Sequence, residues 1–402
     1  MSTAPASEMR WACAVSDHAD AAQAAAEAAE VVRAQLGPVP VDLCLAFFTT
    51  PHVEHAEAIA VELRRALQPG TLAGVSARGV VAREREVEHG IGLSVLAGRL
   101  PGVGVSPFVM MQDVWREPVD DAAAFDLVAP GARGAELVLL CGDPFSLDVE
   151  RALGLFHRHA PGVRVVGGMA SAGMRPRSNV VFLNEWISAE GGFAIALHGA
   201  IRADVVVSQG CAPVGPPLDV THVEGNVILT LDGQPALERA EAVLRSVPED
   251  ERHRLDQGLF VGRAARGDAS GRGDWLIRNL LGADRERGAI AVADHLRLRE
   301  KIRLHVRDAQ AATEDLDMLL APQEFDSAAS AALLFACNGR GTNLFGAPHH
   351  DILALQRALR GAGTRESVPA SGMFCAGEIG PVGERSFMHG HTASIAILRP
   401  RR

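Results

Sequence analysis
Three short apolar runs, each followed by a small-residue segment bounded by glycines, constrain this chain more than any other feature. The runs are Leu43–Phe48 (LCLAFF), Leu137–Cys141 (LVLLC) and Ala332–Cys337 (ALLFAC). The segments, expected to be loops, are Gly74–Gly79, Gly168–Gly173 and Gly372–Gly377, and both Asp42 to Gly74 and Glu136 to Gly168 span 32 positions. Runs this short, without alternation, read as strands buried on both faces. A helical pattern separates each run from its segment, and a further apolar strand follows it at Leu93–Leu96, Phe193–Leu197 and Ser394–Leu398. A strand–helix–strand of this length closes as a right-handed parallel crossover, beside which the extra strand can fold back. The predicted class is α/β, with repeated strand–helix–strand–strand units forming mixed sheets with packed helices in two domains.

The helices carry one apolar face each. Ala56, Ile59, Ala60, Leu63 and Leu67 share the first, with Thr50 expected as cap and Pro51 at the first helical position. The second buries Val149, Leu153 and Phe156, with Ser146 as the expected cap; the third carries Ile352, Leu355 and Leu359. Residues 1–39 offer a strand at Trp11–Val15 and an Ala-rich helix from about Asp17 to Leu36. Asp219–His222 and Val227–Leu231, joined through Glu224-Gly225-Asn226, read as a hairpin. Pro235 opens a helix carrying Leu237, Ala240 and Leu244, placing the division between an N-terminal domain (40–232) and a C-terminal domain (233–400). The basic run Arg297–Arg307 alternates Ile302, Leu304 and Val306 against Arg303, His305 and Arg307, a half-buried strand with a polar face.

A net charge of −10 without a basic block argues against nucleic acid as a partner. Residues 1–10 lack the apolar core of a signal peptide and no run of 18 apolar residues follows, so a cytoplasmic chain without a membrane partner is expected. The six cysteines contain no C-x-x-C, and four lie in apolar runs, which fits buried free thiols. Tyrosine is absent, and Lys301 is the only lysine beside an arginine-rich remainder. Polar recognition therefore rests on Arg, Ser, Thr, Asn, His and carboxylates.

With these patterns in place, the chain resembles the FIST family, with both its N-terminal and C-terminal domains. The N-terminal resemblance rests on Gly74-Val-Ser-Ala-Arg-Gly79, Glu86-Val-Glu88, Ser208-Gln-Gly-Cys-Ala-Pro-Val-Gly215 and Asp232-Gly-Gln-Pro-Ala-Leu-Glu238. The C-terminal one rests on Phe335-Ala-Cys-Asn-Gly-Arg-Gly341, Gly377-Glu-Ile-Gly-Pro-Val382 and Phe387-Met-His-Gly-His-Thr392. The resemblance implies a sensory module of signal transduction that binds a small ligand, an amino acid or related metabolite. In bacteria such modules are fused to kinase, chemotaxis or cyclic-dinucleotide output domains. None follows here, so a separate signalling protein is the expected reader.

Ligands of parallel α/β sheets sit outside the carboxyl ends of the strands. That edge collects Asn338-Gly339-Arg340-Gly341, where glycines allow close approach and the Arg guanidinium is a rigid fork for a carboxylate. The competing reading pairs Arg340 with a structural acid such as Glu378, which could instead receive a ligand ammonium. Ser76, Arg78 and Ser171, in corresponding segments, and His389 complete the candidate set. Cys337 and Cys375 are possible reactive thiols, and the alternatives to a sensor are an enzyme using one of them or a protein-interaction adaptor. Gly74–Gly79 lacks the Lys-Ser or Lys-Thr of a phosphate loop, and His349-His350 and His389-Gly-His391 lack ligand partners at recognised spacing. No catalytic residue, metal or cofactor is assigned.

Overall fold
The computed structural model describes residues 8–116, 119, 121–267, 269, 271–360 and 366–401. The chain divides into two units: one made of Met1–Val207, Asp317–Met388 and Ala393–Arg402, the other of Ser208–Leu316 and His389–Thr392. Compactness thus divides the chain differently from a single cut near residue 233, because the second unit is an insertion within the first.

Among the described residues the first unit forms three six-stranded sheets of identical order. In each, a parallel pair lies at the centre: Leu43–Thr49 with Thr71–Ala77, Leu137–Gly142 with Arg164–Met169, and Ala331–Cys337 with Ala370–Cys375. The expected third strands, Leu93–Arg99, Gly192–Gly199 and Thr392–Pro400, run antiparallel to the first of each pair. Outside them lie edge strands that precede each repeat, Arg10–Ser16, Val103–Met110 and Ile201–Gln209. The predicted repeat is present, with an edge strand and a two-stranded hairpin added per copy.

A hairpin follows each second strand and joins a neighbouring sheet instead of its own. Val80–Ala82 with Arg85–Val87 extends the sheet of the third repeat. Val181–Leu183 with Trp186–Ser188 extends the sheet of the first, and Glu378–Val382 with Arg385–His389 that of the second. The three repeats are therefore laced in a ring. Their inner faces share one core that includes Leu45, Phe47 and Val75, Leu139, Val166 and Ile195, and Leu333, Phe335 and Met373. The outer faces carry the helices. Ala21–Leu36 and Ala56–Leu67 cover the first sheet with Ala24, Ala28, Ile59 and Leu63, and Val149–His159 covers the second with Leu153 and Phe156. Burial on both faces is what makes the central strands read as continuous apolar runs.

Several local expectations are corrected. The glycine-bounded segments are largely strand ends, since Thr71–Ala77, Arg164–Met169 and Ala370–Cys375 run into them. Asp148, not Ser146, caps the second helix, accepting from Arg151 N at 3.0 Å. The Ser146 hydroxyl instead donates to Asp143 at 2.7 Å. Thr50 begins a 3-10 turn, Thr50–His55, and its hydroxyl donates to Ala172 O at 2.9 Å. Thr50 is thus claimed by the second repeat and Ser146 by a turn of its own repeat, which sequence spacing does not reveal.

The second unit is antiparallel. Cys211–Glu224 pairs with both Lys301–Arg307 and Val227–Leu231, and the intervening strands Leu259–Ala264, Trp275–Asp284 and Ala289–Val292 close the circuit as a barrel. The hairpin at 219–231 and the helix Ala236–Arg245 are as expected, and Ala236, Ala240 and Val243 join the barrel core of Ile228, Val261, Ile302 and Leu304. His305 departs from its expected polar face. It is 1% exposed, its ring 6.0 Å from that of Trp275, and its Nδ1 lies 3.0 Å from Arg303 O.

Candidate functional site
Strand Ala331–Cys337 ends in a turn whose hydrogen bonds are made locally. Arg340 N donates to Cys337 O at 2.8 Å, Asn338 N to Cys375 O at 3.0 Å, and Gly339 N to Cys337 Sγ at 3.4 Å. Gly341 follows at φ +60, and a Cβ there would lie 2.6 Å from the Glu88 carboxyl group. Only glycine allows that approach. Thr342 then donates to the same carboxylate from its N at 2.9 Å and its hydroxyl at 2.8 Å.

The turn delivers Arg340 into the interior, where it is 1% exposed. Its Nε and Nη2 donate to Asp351 at 2.6 and 2.8 Å, a bidentate pair with both partners buried. Burial pushes the Asp351 carboxyl up, but the Arg340 charge and hydrogen bonds outweigh it and hold the group at about 2. Phe345 lies under the guanidinium, 5.3 Å from its centroid, and stacks on His350 at 3.5 Å. Two polar atoms are left over: Arg340 Nη1 and Asn338 Oδ1 are buried with no hydrogen-bond partner among the described residues.

Beside this turn, Cys337 and Cys375 face each other in register across the parallel pair. Gly168 of the second sheet packs directly on Cys375 Sγ, so a side chain there would displace the sulfur. Burial first, and then the negative charge of Glu378, push the Cys375 thiol well above its ordinary value. Glu378 is itself fully buried, and its charge also helps keep Arg340 ionised against burial. All six cysteines are free thiols, and Cys337 alone among them is partly exposed.

The three glycine-bounded segments meet next to this turn. Ser171 N donates to Ser76 O at 3.2 Å, Arg78 N to Ser171 Oγ at 2.9 Å, and Ser171 Oγ to Phe374 O at 2.6 Å. Phe374 N donates to Gly79 O at 2.9 Å and Ala376 N to Met169 O at 3.1 Å, closing a ring of contacts among the repeats. Ser76 Oγ accepts from Val180 N at 2.9 Å. Both serine hydroxyls thus serve the backbone, while the Arg78 side chain is exposed.

The structure brings Cys337, Asn338, Arg340, Gly341, Cys375 and Glu378 together, with Ser76, Arg78 and Ser171 alongside. His389 belongs to the second unit, with Gly390–Thr392. The acid that holds Arg340 is Asp351, not Glu378. Asp351, Phe345 and the pair Glu86 and Glu88 had no role assigned from sequence. Glu86-Val-Glu88 was visible as a motif, but its contact with residues more than 250 positions away was not.

A FIST N domain model matches residues 42–234 and a FIST C domain model residues 236–381. An uncharacterized protein of Mycobacterium tuberculosis is 33% identical over 394 residues, covering 97% of this chain and 100% of the relative. One of Mycobacterium bovis is 32% identical over 397 residues, covering 97% and 99%. A cyanuric acid hydrolase from A. caulinodans, known from its crystal structure, aligns at 13% identity and TM-score 0.26, covering 49% of this chain and 72% of that one. Among the described residues no helix is long and apolar enough to cross a membrane. With matches to both domain models across 42–381, the chain belongs to the FIST family, whose domains are generally sensory domains of signal transduction.

Proposed function
We propose that this chain is a cytoplasmic sensory module that holds a small carboxylate-bearing metabolite, an amino acid or a related acid, against Asn338 and Arg340. A separate signalling protein reads the occupied state. One observation carries this reading: the buried Arg340 Nη1 and Asn338 Oδ1 have no partner among the described residues. A buried donor or acceptor left unpaired costs about 1–3 kcal/mol, which a bound acceptor and donor remove. Asp351 fixes the guanidinium so that its remaining edge is presented in one orientation. Glu378 supplies the negative charge suited to a ligand ammonium, and Gly341 lets the turn fold close to Glu88. Ser76 Oγ accepts from Val180 N and Ser171 Oγ donates to Phe374 O, so both brace the neighbouring backbone.

A thermal-shift screen of amino acids and related carboxylates tests the reading. A ligand at 100 times its dissociation constant adds about 2.7 kcal/mol of stability. Asn338→Ala is the informative variant, because the amide oxygen it removes has no partner among the described residues. The expected result is a shift for one chemical class in the wild type and a smaller one in Asn338→Ala. A full panel without a shift sinks the sensor reading, and a hit that binds Asn338→Ala unchanged moves the site elsewhere.

A further inference from the structure
The helix His350–Arg360 is held by a hairpin that belongs to the first repeat. Its leading N–H groups are served by Glu86: His349 N donates to Oε2 at 2.6 Å and Ile352 N to Oε1 at 3.2 Å. In return Glu86 N donates to His349 Nδ1 at 2.9 Å. Further along, Gln356 Nε2 donates to Arg83 O at 2.8 Å, and Arg360 pairs with Glu84. Glu88 holds the other end of the same loop through Thr342. The segment from Arg340 to Asp351 is therefore pinned at both ends by two carboxylates of one hairpin.

The charges at this junction do not balance. Glu86, Glu88 and Asp351 are 5%, 9% and 1% exposed, and the buried cation among them, Arg340, has committed two nitrogens to Asp351. Glu86 and Glu88 face neutral donors. His350 lies against Asp351, with Nδ1 3.1 Å from Oδ1, while His349 spends Nδ1 accepting from Glu86 N. Arg85 is exposed, and Glu84 with Arg360 neutralise each other at the far end of the helix. Asp351 and Glu88 each add to the cost of a charged, buried Glu86, and a proton on Glu86 is the cheapest relief.

We propose that Glu86 is a positioning residue for the ligand site, whose bound proton keeps the 340–351 loop closed and whose ionisation favours loop opening. The proposal rests on the reading of Arg340 as ligand contact given above, and adds a regulator to that site. Burial, with Asp351 and Glu88 adding to it, places the Glu86 carboxyl at about 7. An open loop that exposes Glu86 to water returns it to the ordinary carboxylate range, so the closed form binds the proton more tightly. Opening is therefore disfavoured at low pH and released as pH rises toward the closed-state value. Ligand held by Arg340 follows the same proton.

Hydrogen exchange of residues 341–352 in the full chain, without any ligand, tests this at pH 5.5 and 7.5 after correction for intrinsic rates. The wild type is expected to lose at least about fivefold in protection between the two, the low end of ordinary site-to-site coupling. Helix Val149–His159 serves as an internal reference and keeps its protection. Glu86→Gln keeps one acceptor oxygen, for one of the two N–H groups, and cannot ionise, so its protection is expected to be independent of pH. A flat wild-type profile overturns the proposal, as does a Glu86→Gln profile with the wild-type slope. If Glu86→Gln does not fold, a wild-type exchange series from about pH 4 to about pH 9 decides: opening that is half-maximal near 7 supports the proposal, and opening half-maximal elsewhere refutes it. Because no ligand is used, a failed metabolite screen leaves this result standing, and a flat exchange profile leaves the screen standing.

Discussion

Replacing Glu86 by glutamine changes how stability depends on pH, and the size of the change follows from the structure. The Glu86 carboxyl is raised from 4.5 to about 7, chiefly by burial. A raised carboxyl contributes stability that is complete below 4.5 and is lost as pH climbs to 7. The difference of about 2.5 units corresponds to about 3 kcal/mol. His305 works in the opposite direction. Burial lowers it from 6.5 to about 4, so its folded form binds fewer protons than the unfolded chain, and stability is gained between pH 4 and 6.5. His52 and His157, also lowered mainly by burial, act with His305. The wild type therefore combines opposed slopes between pH 4.5 and 6.5. Urea unfolding followed by tryptophan fluorescence, from pH 4.5 to 7.5, separates them. The stability of the wild type minus that of Glu86→Gln should fall by about 3 kcal/mol across this range. A difference that stays constant to within about 0.5 kcal/mol would show that Glu86 is an ordinary surface-like carboxylate, and the reasoning fails.

Two further outcomes follow from the same geometry. Arg340→Ala strips Asp351 of its buried partner and should cost about 3–5 kcal/mol of stability in urea unfolding, whereas Asn338→Ala should cost under about 1 kcal/mol. Iodoacetamide at neutral pH should modify Cys337 in the folded protein and leave Cys375 untouched until denaturant is added, as read by mass spectrometry. Rapid folded-state labelling of Cys375 would contradict its burial and reopen the thiol-enzyme alternative.

The legible parts of the fold share a cause. Ala331–Cys337 and its two counterparts are buried on both faces, so each appears as an apolar run whatever surrounds it. The helices between the strands show their stripe because only one side meets the sheet. The hairpins were harder. Strands of three residues, such as Val80–Ala82, carry no periodicity that names a partner, and theirs lies in another repeat. His305 was misplaced because alternation puts it opposite Ile302 and Leu304, while its burial depends on the neighbouring Trp275 and on space at Gly262. The site followed the same division. Asn338, Arg340 and Gly341 stood out locally, yet the acid that holds Arg340 lies 11 positions on and the carboxylate against Gly341 lies in the first repeat.

By itself the sequence determined the threefold repeat, the helix–strand alternation within it and the family, all of which are written in local pattern and order. Tertiary structure alone decided which sheet each hairpin joins, that Asp351 rather than Glu378 holds Arg340, and that Glu86 is buried beside Asp351 and Glu88. The physical reason is range. Periodicity reports which face of a segment is buried, whereas charge pairing and protonation depend on groups brought within a few ångströms by distant parts of the chain.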